Sequence, residues 1–170
     1  VTGESISITG TGSVTDKNVG SGKTINISGL SLSDGSHSAS NYTIGTTSFA
    51  ITRRNLSISG EKVYDGTGTV LASQIDTVNT AGGETLTISG EGSVSLPSVG
   101  TNKSITLNTL GISDGTSGTI GLASNYTLDS GSFDITTKPI TLSGSRQYDG
   151  TTNVASSDLT LIGQLSLIHI

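Results

Sequence analysis

The strongest constraint on this chain is an internal repeat. Tyr64-Asp65-Gly66 returns as Tyr148-Asp149-Gly150, at an offset of 84 in the numbering. The same offset relates Asn41-Tyr42 to Asn125-Tyr126 and Phe49 to Phe133, so all six aromatic residues occupy repeat-equivalent positions. A module with its only large side chains at fixed positions uses them to pack one core per module. We therefore predict that these residues define the repeat structurally and that the aromatic ones anchor its core.

A second spacing locates a loop. Ser33-Asp34-Gly35 matches Ser113-Asp114-Gly115 at an offset of 80, whereas the aromatic positions that follow are 84 apart. Between the Asp-Gly and the Asn-Tyr lie five residues in the first copy, 36–40, and nine in the second, 116–124, so the second copy has four more. An insertion in a paired strand would turn every later side chain to the opposite face, while a surface loop tolerates it at small entropic cost. The sequence therefore predicts a loop at this point.

Apolar residues alternate with Ser or Thr along most of the chain, as in Ile6-Ser7-Ile8, Leu56-Ser57-Ile58 and Ile140-Thr141-Leu142. Period two puts one face of a strand on a core and the other in water. No window has helical spacing with enough strong helix formers. We predict an all-β protein of tandem antiparallel modules, sandwich-like or β-grasp-like, with a β-solenoid as the alternative.

The junctions between modules follow from the same alignment. Ile51–Leu56 corresponds to Ile135–Ile140, a basic or proline-containing step between two strands. So short a connection leaves little freedom between modules. We predict that residues 1–53 are the C-terminal part of one repeat, that 54–137 form a complete repeat and that 138–164 begin a third.

The order of short motifs resembles the YDG repeat. Each copy carries Val-Gly, Ser-Asp-Gly, Asn-Tyr-Thr and Phe-x-Ile-Thr after the position of Tyr-Asp-Gly-Thr, and the resemblance covers about Gly3 to Gly163. The second copy departs from the family pattern at Ser95–Ser98, where the first has Thr15–Asn18. YDG repeats occur in very large bacterial surface proteins of the filamentous haemagglutinin and two-partner-secretion type.

That resemblance implies a function and a location. It implies a secreted or surface-attached, non-enzymatic repeat region of an adhesin, acting as a stalk, a spacer or a contact surface. Its partners would be the neighbouring repeats of the same chain, and a host-surface, biofilm or glycan ligand is left open. We accordingly expect an extracellular or cell-surface location.

The last six residues, Leu165–Ile170, depart from the repeat pattern. Read back into DNA they match CTG TCT CTT ATA CAC ATC, which resembles the transposase-adapter sequence of short-read libraries. We interpret residues 165–170 as a non-native tail. The alternative is a native apolar strand.

Few residues offer catalytic or metal-binding chemistry. Apart from His169 in the tail, the chain has one histidine, His37, in the variable loop, and it has no cysteine. A nucleophile, a base or a metal would therefore lack partner groups, and we predict no enzymatic activity, no cofactor and no metal. Asp65 and Asp149 precede glycines, which favours structural turns over calcium ligands.

The segment Gly20–Thr24 resembles the end of a phosphate-binding loop. The full pattern requires glycine where Lys17 stands, an apolar strand before it and a helix after it. All three are missing, so the segment is instead predicted to be a hairpin turn with a lysine at the start of a strand.

Charge and hydropathy exclude further classes. The eight basic residues form no stripe and the sequence pI is about 4.7, which argues against nucleic-acid binding. A run of about 18 apolar residues, as a membrane-spanning helix needs, does not occur. The alternative to an adhesin repeat is a carbohydrate-binding module of a secreted protein, which would require exposed aromatic platforms. The exposure of Tyr42, Tyr64, Tyr126 and Tyr148 discriminates between the two.

Overall fold

A computed structural model describes residues 3, 5–45 and 48–165. In this part the chain forms sixteen β-strands and five short 3-10 helices, without an α-helix, and the all-β prediction is confirmed. The strands are β1 Ile6–Gly10, β2 Ser13–Val14, β3 Gly20–Asn26, β4 Leu30–Asp34, β5 Ser48–Ile51, β6 Arg54–Val63, β7 Thr69–Leu71, β8 Ile75–Val78, β9 Leu86–Ser89, β10 Glu91–Ser93, β11 Gly100–Ser104, β12 Gly111–Asp114, β13 Tyr126–Leu128, β14 Ser132–Thr136, β15 Thr141–Gly144 and β16 Leu159–Ile162. The 3-10 helices are Ala39–Asn41, Ala72–Gln74, Ala81–Gly83, Ala123–Asn125 and Ser156–Asp158.

The sequence also predicts a non-native tail at residues 165–170 and no membrane-spanning helix. Of the predicted tail, residues 166–170 lie outside the described residues, so its non-native origin stays a prediction. In the described part, no helix has the length and apolar character needed to cross a membrane.

Strand pairing repeats with the sequence. β1 pairs antiparallel with β4, with Ile8 opposite Leu32, and β9 pairs antiparallel with β12, with Ile88 opposite Ile112. β6 and β8 form an antiparallel pair whose register recurs in β15 and β16. Following the division predicted from the sequence, we refer to β1–β5 as the first copy, β6–β14 as the complete second copy and β15–β16 as the third.

A β-bulge also recurs, and it corrects the prediction for Gly20–Thr24. β3 pairs antiparallel with β5, and the register shifts between Gly20 and Lys23, so the segment lies within a strand and the predicted hairpin turn is wrong. The same shift occurs between Gly100 and Lys103 in β11. The extra residue of such a bulge can adopt positive φ. Here Gly22 has φ of 70° and its counterpart Asn102 has φ of 53°. Glycine and asparagine tolerate this conformation, which explains why the pattern resembled a turn.

The first and last strands of the complete copy pair in parallel. Phe133 on β14 lies opposite Gly60 on β6, and Thr136 lies opposite Val63. The five-stranded sheet has the order β11, β14, β6, β13, and β8 also pairs with β6. Tandem β modules are therefore confirmed, with this parallel pair as an exception to antiparallel pairing. Among the described residues no sheet is closed or coiled, so the solenoid alternative is wrong.

One hydrophobic core lies within the complete copy. Alternation along β6 turns Ile58 inward, and the last strand contributes Phe133, which is 0% exposed. The ring of Phe133 lies against Gly60, where an added Cβ would come within 3.0 Å of the ring and 2.0 Å of the Gln74 carbonyl oxygen. The core residues are Ile58, Val70, Ile75, Val94, Ile105, Leu110, Phe133 and Ile135.

The chain divides into two compact units. The first contains residues up to Asn55 together with Leu122–Thr127, and the second contains Leu56–Gly121 together with the chain from Leu128 onward. The four-residue insertion lies between β12 and the 3-10 helix Ala123–Asn125, in a segment without strands apart from an isolated bridge between Thr85 and Ile120.

Candidate functional site

The Tyr-Asp-Gly motif of the complete copy forms a tight turn directly after β6. The Oδ1 atom of Asp65 accepts hydrogen bonds from the backbone N–H and the hydroxyl of Thr67, both at 2.9 Å. Gly66 has φ of 83°. Glycine adopts this conformation at no steric cost. An aspartate side chain that accepts a hydrogen bond from the backbone N–H two residues ahead, followed by a glycine with positive φ, forms a turn specified by these few residues alone.

A buried lysine anchors this turn from inside the module. Lys62 lies in phase with Leu56 and Ile58 on β6, so alternation points it to the core face and leaves Val63 exposed. Its Nζ donates to the Thr69 carbonyl at 2.7 Å, and to Asp65 Oδ2 and the Thr67 hydroxyl at 3.1 Å each.

These contacts explain how a cation is accommodated beside a core. The Lys62 side chain is 3% exposed and the Asp65 side chain is 48% exposed. An ammonium has three protons to donate, and here three oxygens receive them, which offsets the cost of removing the charge from water. Sequence reasoning missed Lys62. The signal that could have found it is the basic residue two positions before each tyrosine, Lys62 in one copy and Arg146 in the next.

The third copy builds the same turn. Arg146 forms an ion pair with Asp149 and donates from Nη2 to the Thr151 carbonyl at 2.6 Å. Asp149 Oδ1 accepts from the backbone N–H of Thr151 at 2.9 Å and from its hydroxyl at 3.0 Å. Gly150 has φ of 76°. These contacts all join residues within 146–151, so the turn is held by local hydrogen bonds and a local ion pair.

Comparison with known families bears on the same residues. The sequence matches the YDG domain over residues 1–49 and 52–133, which together are most of the chain. The chain belongs to the YDG domain family. Neither the curated proteins nor the solved structures provide a match. The second matched stretch includes β6 and the turn that follows it, so the lysine-anchored motif is part of the YDG domain in this chain.

The hydrogen bonds of the YDG turn also set the acidity of its aspartates. Burial by itself raises the pKa of Asp65, but the Thr67 backbone N–H, Lys62 and the Thr67 hydroxyl together bring that pKa below its ordinary value. The pKa of Asp149 is lowered chiefly by the backbone N–H of Thr151, then by Arg146 and the Thr151 hydroxyl. Both carboxylates are held in the charged form that the turn requires.

We expect acid to weaken the complete YDG copy through Asp65. A carboxyl whose pKa is lowered on folding contributes stability at a pH above its ordinary value of 3.8, and loses it as the pH falls through the folded-state value. Because the side chain is half exposed, solvent screening limits this contribution to about 1 kcal/mol. The check is the urea unfolding midpoint, followed by tyrosine fluorescence at pH 7 and pH 3.

Two variants test the origin of that acid sensitivity. Asp65→Asn should lower the midpoint at pH 7 and reduce its change between the two pH values. Asp76→Asn removes an exposed carboxylate from β8 of the same copy and should leave that change as it is. An Asp65→Asn protein with the same acid loss as the unmodified chain would contradict the assignment.

The Asn-Tyr motif occupies different surroundings in the two YDG copies. Asn125 belongs by sequence to the complete copy but lies in the first compact unit. There its Oδ1 accepts from the Val19 N–H and its Nδ2 donates to Asn18 Oδ1, both at 2.9 Å. Tyr126 beside it is buried. Asn41 and Tyr42 lie at the surface. The asparagine of the complete copy therefore fixes the loop before β3, which contains Asn18.

The burial of the equivalent aromatic residues differs between the copies. Phe133 is 0% exposed and Tyr64 packs against the core, whereas their equivalents Phe49 and Tyr148 are 49% and 92% exposed. For Phe49, Tyr148 and Tyr42 the predicted core packing is not seen. The strands that cover these positions in the complete copy have no counterpart beside them among the described residues.

An open groove of about 800 Å³ runs along the YDG turn of the complete copy. Its walls are Tyr64–Thr67, Val99, the connection Thr137–Ile140 without Pro139, and Gly163–Leu165. The Asp65 carboxylate and the Thr67 hydroxyl at this groove are already engaged in the turn. Within the described residues no group of three His, Cys, Asp or Glu side chains could hold a metal ion.

Proposed function

We propose that this chain is a structural repeat region, a stalk or spacer, of a large secreted or surface-attached bacterial adhesin. We further propose that its complete YDG copy bears tension along the chain. The observation that carries the proposal is the parallel pairing of β6 with β14, the first and last strands of that copy.

Parallel pairing places the two ends of the module far apart. Thr136, the last residue of β14, lies opposite Val63, which is seven residues after Leu56 on β6. At about 3.3 Å per residue, Leu56 near the start of β6 lies about 23 Å from Thr136 at the end of β14. A repeat that gains length with every copy suits a spacer.

The same pairing determines how a pulling force acts. Tension applied at Asn55 and Thr137 draws β6 and β14 past each other in opposite directions along their length. The ladder hydrogen bonds between them are then loaded together, whereas peeling strands apart from one end loads them one after another. A module joined in this way resists extension, as the stalk of a surface adhesin must.

The burial of the tyrosines favours this proposal over a carbohydrate-binding module. In the complete copy Tyr126 is buried and Tyr64 packs against the core. A sugar platform requires exposed rings, and the most exposed tyrosine, Tyr148, belongs to the incomplete third copy.

Single-molecule force spectroscopy tests the proposal. The chain has no cysteine, so engineered pairs give unique attachment points. Asn55→Cys with Thr137→Cys applies shear to β6 and β14. Val63→Cys with Thr137→Cys pulls the neighbouring ends of the same strands and peels them. We expect the sheared protein to unfold at a force several times that of the peeled one.

Equal unfolding forces for the two attachment geometries would count against a load-bearing stalk. Specific retention of the unmodified chain on a glycan array, lost on substituting Tyr64 and Tyr126, would favour the carbohydrate-binding alternative instead.

A further inference from the structure

A short segment of the complete copy is held by side chains of the first copy. Leu122–Thr127 follows the four-residue insertion of the second copy, yet it groups with the chain up to Asn55 in one compact unit. Within that unit Asn125 bonds the loop before β3, and Arg53 donates from Nε to the Ser124 carbonyl oxygen at 3.2 Å. The two YDG copies are therefore joined by hydrogen bonds as well as by the peptide chain.

A run of hydrogen bonds gives the amide groups of this contact a direction. Lys23 Nζ donates to Asp16 Oδ2 at 2.9 Å, and Asp16 Oδ1 accepts from the backbone N–H of Asn18 at 3.0 Å and from its Nδ2 at 2.9 Å. A carboxylate accepts and does not donate, so it turns Asn18 Nδ2 toward itself and leaves Asn18 Oδ1 facing Asn125 Nδ2. The Oδ1 of Asn125 then faces the backbone N–H of Val19.

The YDG module does not need these side chains for its own strands. The complete copy has the same bulge in β11 that the first copy has in β3, although three side chains of the contact are different there. Leucine, serine and threonine replace the aspartate, asparagine and arginine, at Leu96, Ser98 and Thr137. Leucine offers no acceptor to orient a neighbouring amide. The three polar side chains of the first copy are therefore accounted for by the segment that they hold.

We propose that Asp16, Asn18, Val19 and Arg53 form a docking site for the Asn-Tyr segment of the repeat that follows, and that docking couples the stability of the two copies. We call these four residues the junction site. In a tandem array, the interface between neighbours adds to the stability of each repeat. The residues at positions 16, 18 and 53 set the strength of that coupling without any change in the strands.

Hydrogen exchange of single amides, measured by NMR on the full chain, tests docking directly, because the Val19 N–H itself donates to Asn125. We expect Asn125→Ala to speed exchange at Val19 about tenfold or more, since a partly buried donor loses its acceptor. Asn41→Ala is the matched control. It removes the repeat-equivalent asparagine from an exposed position and should leave exchange at Val19 unchanged.

The reciprocal variant changes only the first copy and is observed in the second. Asp16→Leu combined with Asn18→Ser gives the first copy the residues that the second has at these positions. The side-chain amide protons of Asn125 should then exchange with water as fast as those of the exposed Asn41. Thr15→Ser, which makes the same kind of exchange at a neighbouring exposed position, should leave the Asn125 side chain protected.

Phe133→Ala tests whether docking transmits stability between the copies. Phe133 is fully buried in the complete copy, so its truncation weakens the module that supplies Asn125. In the otherwise unmodified chain it should speed exchange at Val19, because opening of the complete copy withdraws the acceptor. In the protein with Asp16→Leu and Asn18→Ser, it should add nothing at Val19.

Three outcomes would overturn the proposal. Exchange at Val19 could be unchanged in Asn125→Ala, or the Asn125 side chain could stay protected in the reciprocal variant. Phe133→Ala could affect Val19 equally with and without the junction site. The reciprocal variant decides the question even if Asn125→Ala does not fold. None of these measurements applies a force, so their failure is distinct from failure of the load-bearing stalk.

Discussion

Phe133→Ala is expected to destabilise the complete YDG copy by about 3–5 kcal/mol, the range for removing a fully buried phenylalanine. Phe133 lies on β14 between β6 and β11, is completely buried and contacts Gly60, so truncation leaves a cavity that the surrounding backbone cannot fill. A module of this size has about 4–12 kcal/mol of stability in total. The measurement is amide hydrogen exchange by mass spectrometry, in which peptides from β6 and β14 should lose most of their protection.

The repeat supplies a matched control for that substitution. Phe49→Ala removes the same side chain from the equivalent position of the first copy, where it is half exposed. We expect a loss below about 1 kcal/mol, as for substitutions outside a packed core. Similar losses for the two variants would contradict the assignment of Phe133 as the centre of the core.

The sequence predicted the strand content because its signal is local. Alternation of apolar residues with Ser and Thr fixes which face of each strand is buried, and it places Leu56 and Ile58 on the core face of β6 as the structure does. The repeat spacing likewise predicts equivalent strand pairs, and β1–β4 and β9–β12 share one register.

The parallel pairing of β6 and β14 could not be predicted in this way. Each strand has its own alternation, and nothing in that pattern specifies a partner more than seventy residues away along the chain. The bulge at Gly20–Lys23 was also missed, since a glycine with positive φ has the same sequence signal in a bulge as in a turn.

The burial of individual aromatic residues depends on the rest of the module. Tyr64 and Tyr148 occupy identical motifs, yet one packs against a core and the other is almost fully exposed. Repeat equivalence predicts the backbone turn in both copies, because Asp65 and Asp149 each bond their own neighbours. It predicts burial only where the other strands of the copy are present.

Lys62→Met is expected to destabilise the complete copy by about 2–3 kcal/mol. The methionine side chain fills a similar volume but donates no hydrogen bonds, so the Thr69 carbonyl and the Thr67 hydroxyl lose a partner near the core. Breaking a fully buried ion pair costs more, about 3–5 kcal/mol, because the remaining charge is stranded. Here Asp65 is half exposed and can be hydrated, which places the loss below that range.

A second lysine provides the control that separates the effect of burying Lys62 from the effect of removing a positive charge. Lys138→Met removes an exposed lysine that follows β14. Such a surface substitution should change the free energy of unfolding by less than about 0.5 kcal/mol. Hydrogen exchange of peptides that cover β6 and β7 reports both variants, and the protection of Thr67–Thr69 should fall first in Lys62→Met. If Lys62→Met were as stable as Lys138→Met, the buried lysine would be incidental to the YDG turn. The aspartate and glycine that give the motif its name would then suffice to hold it.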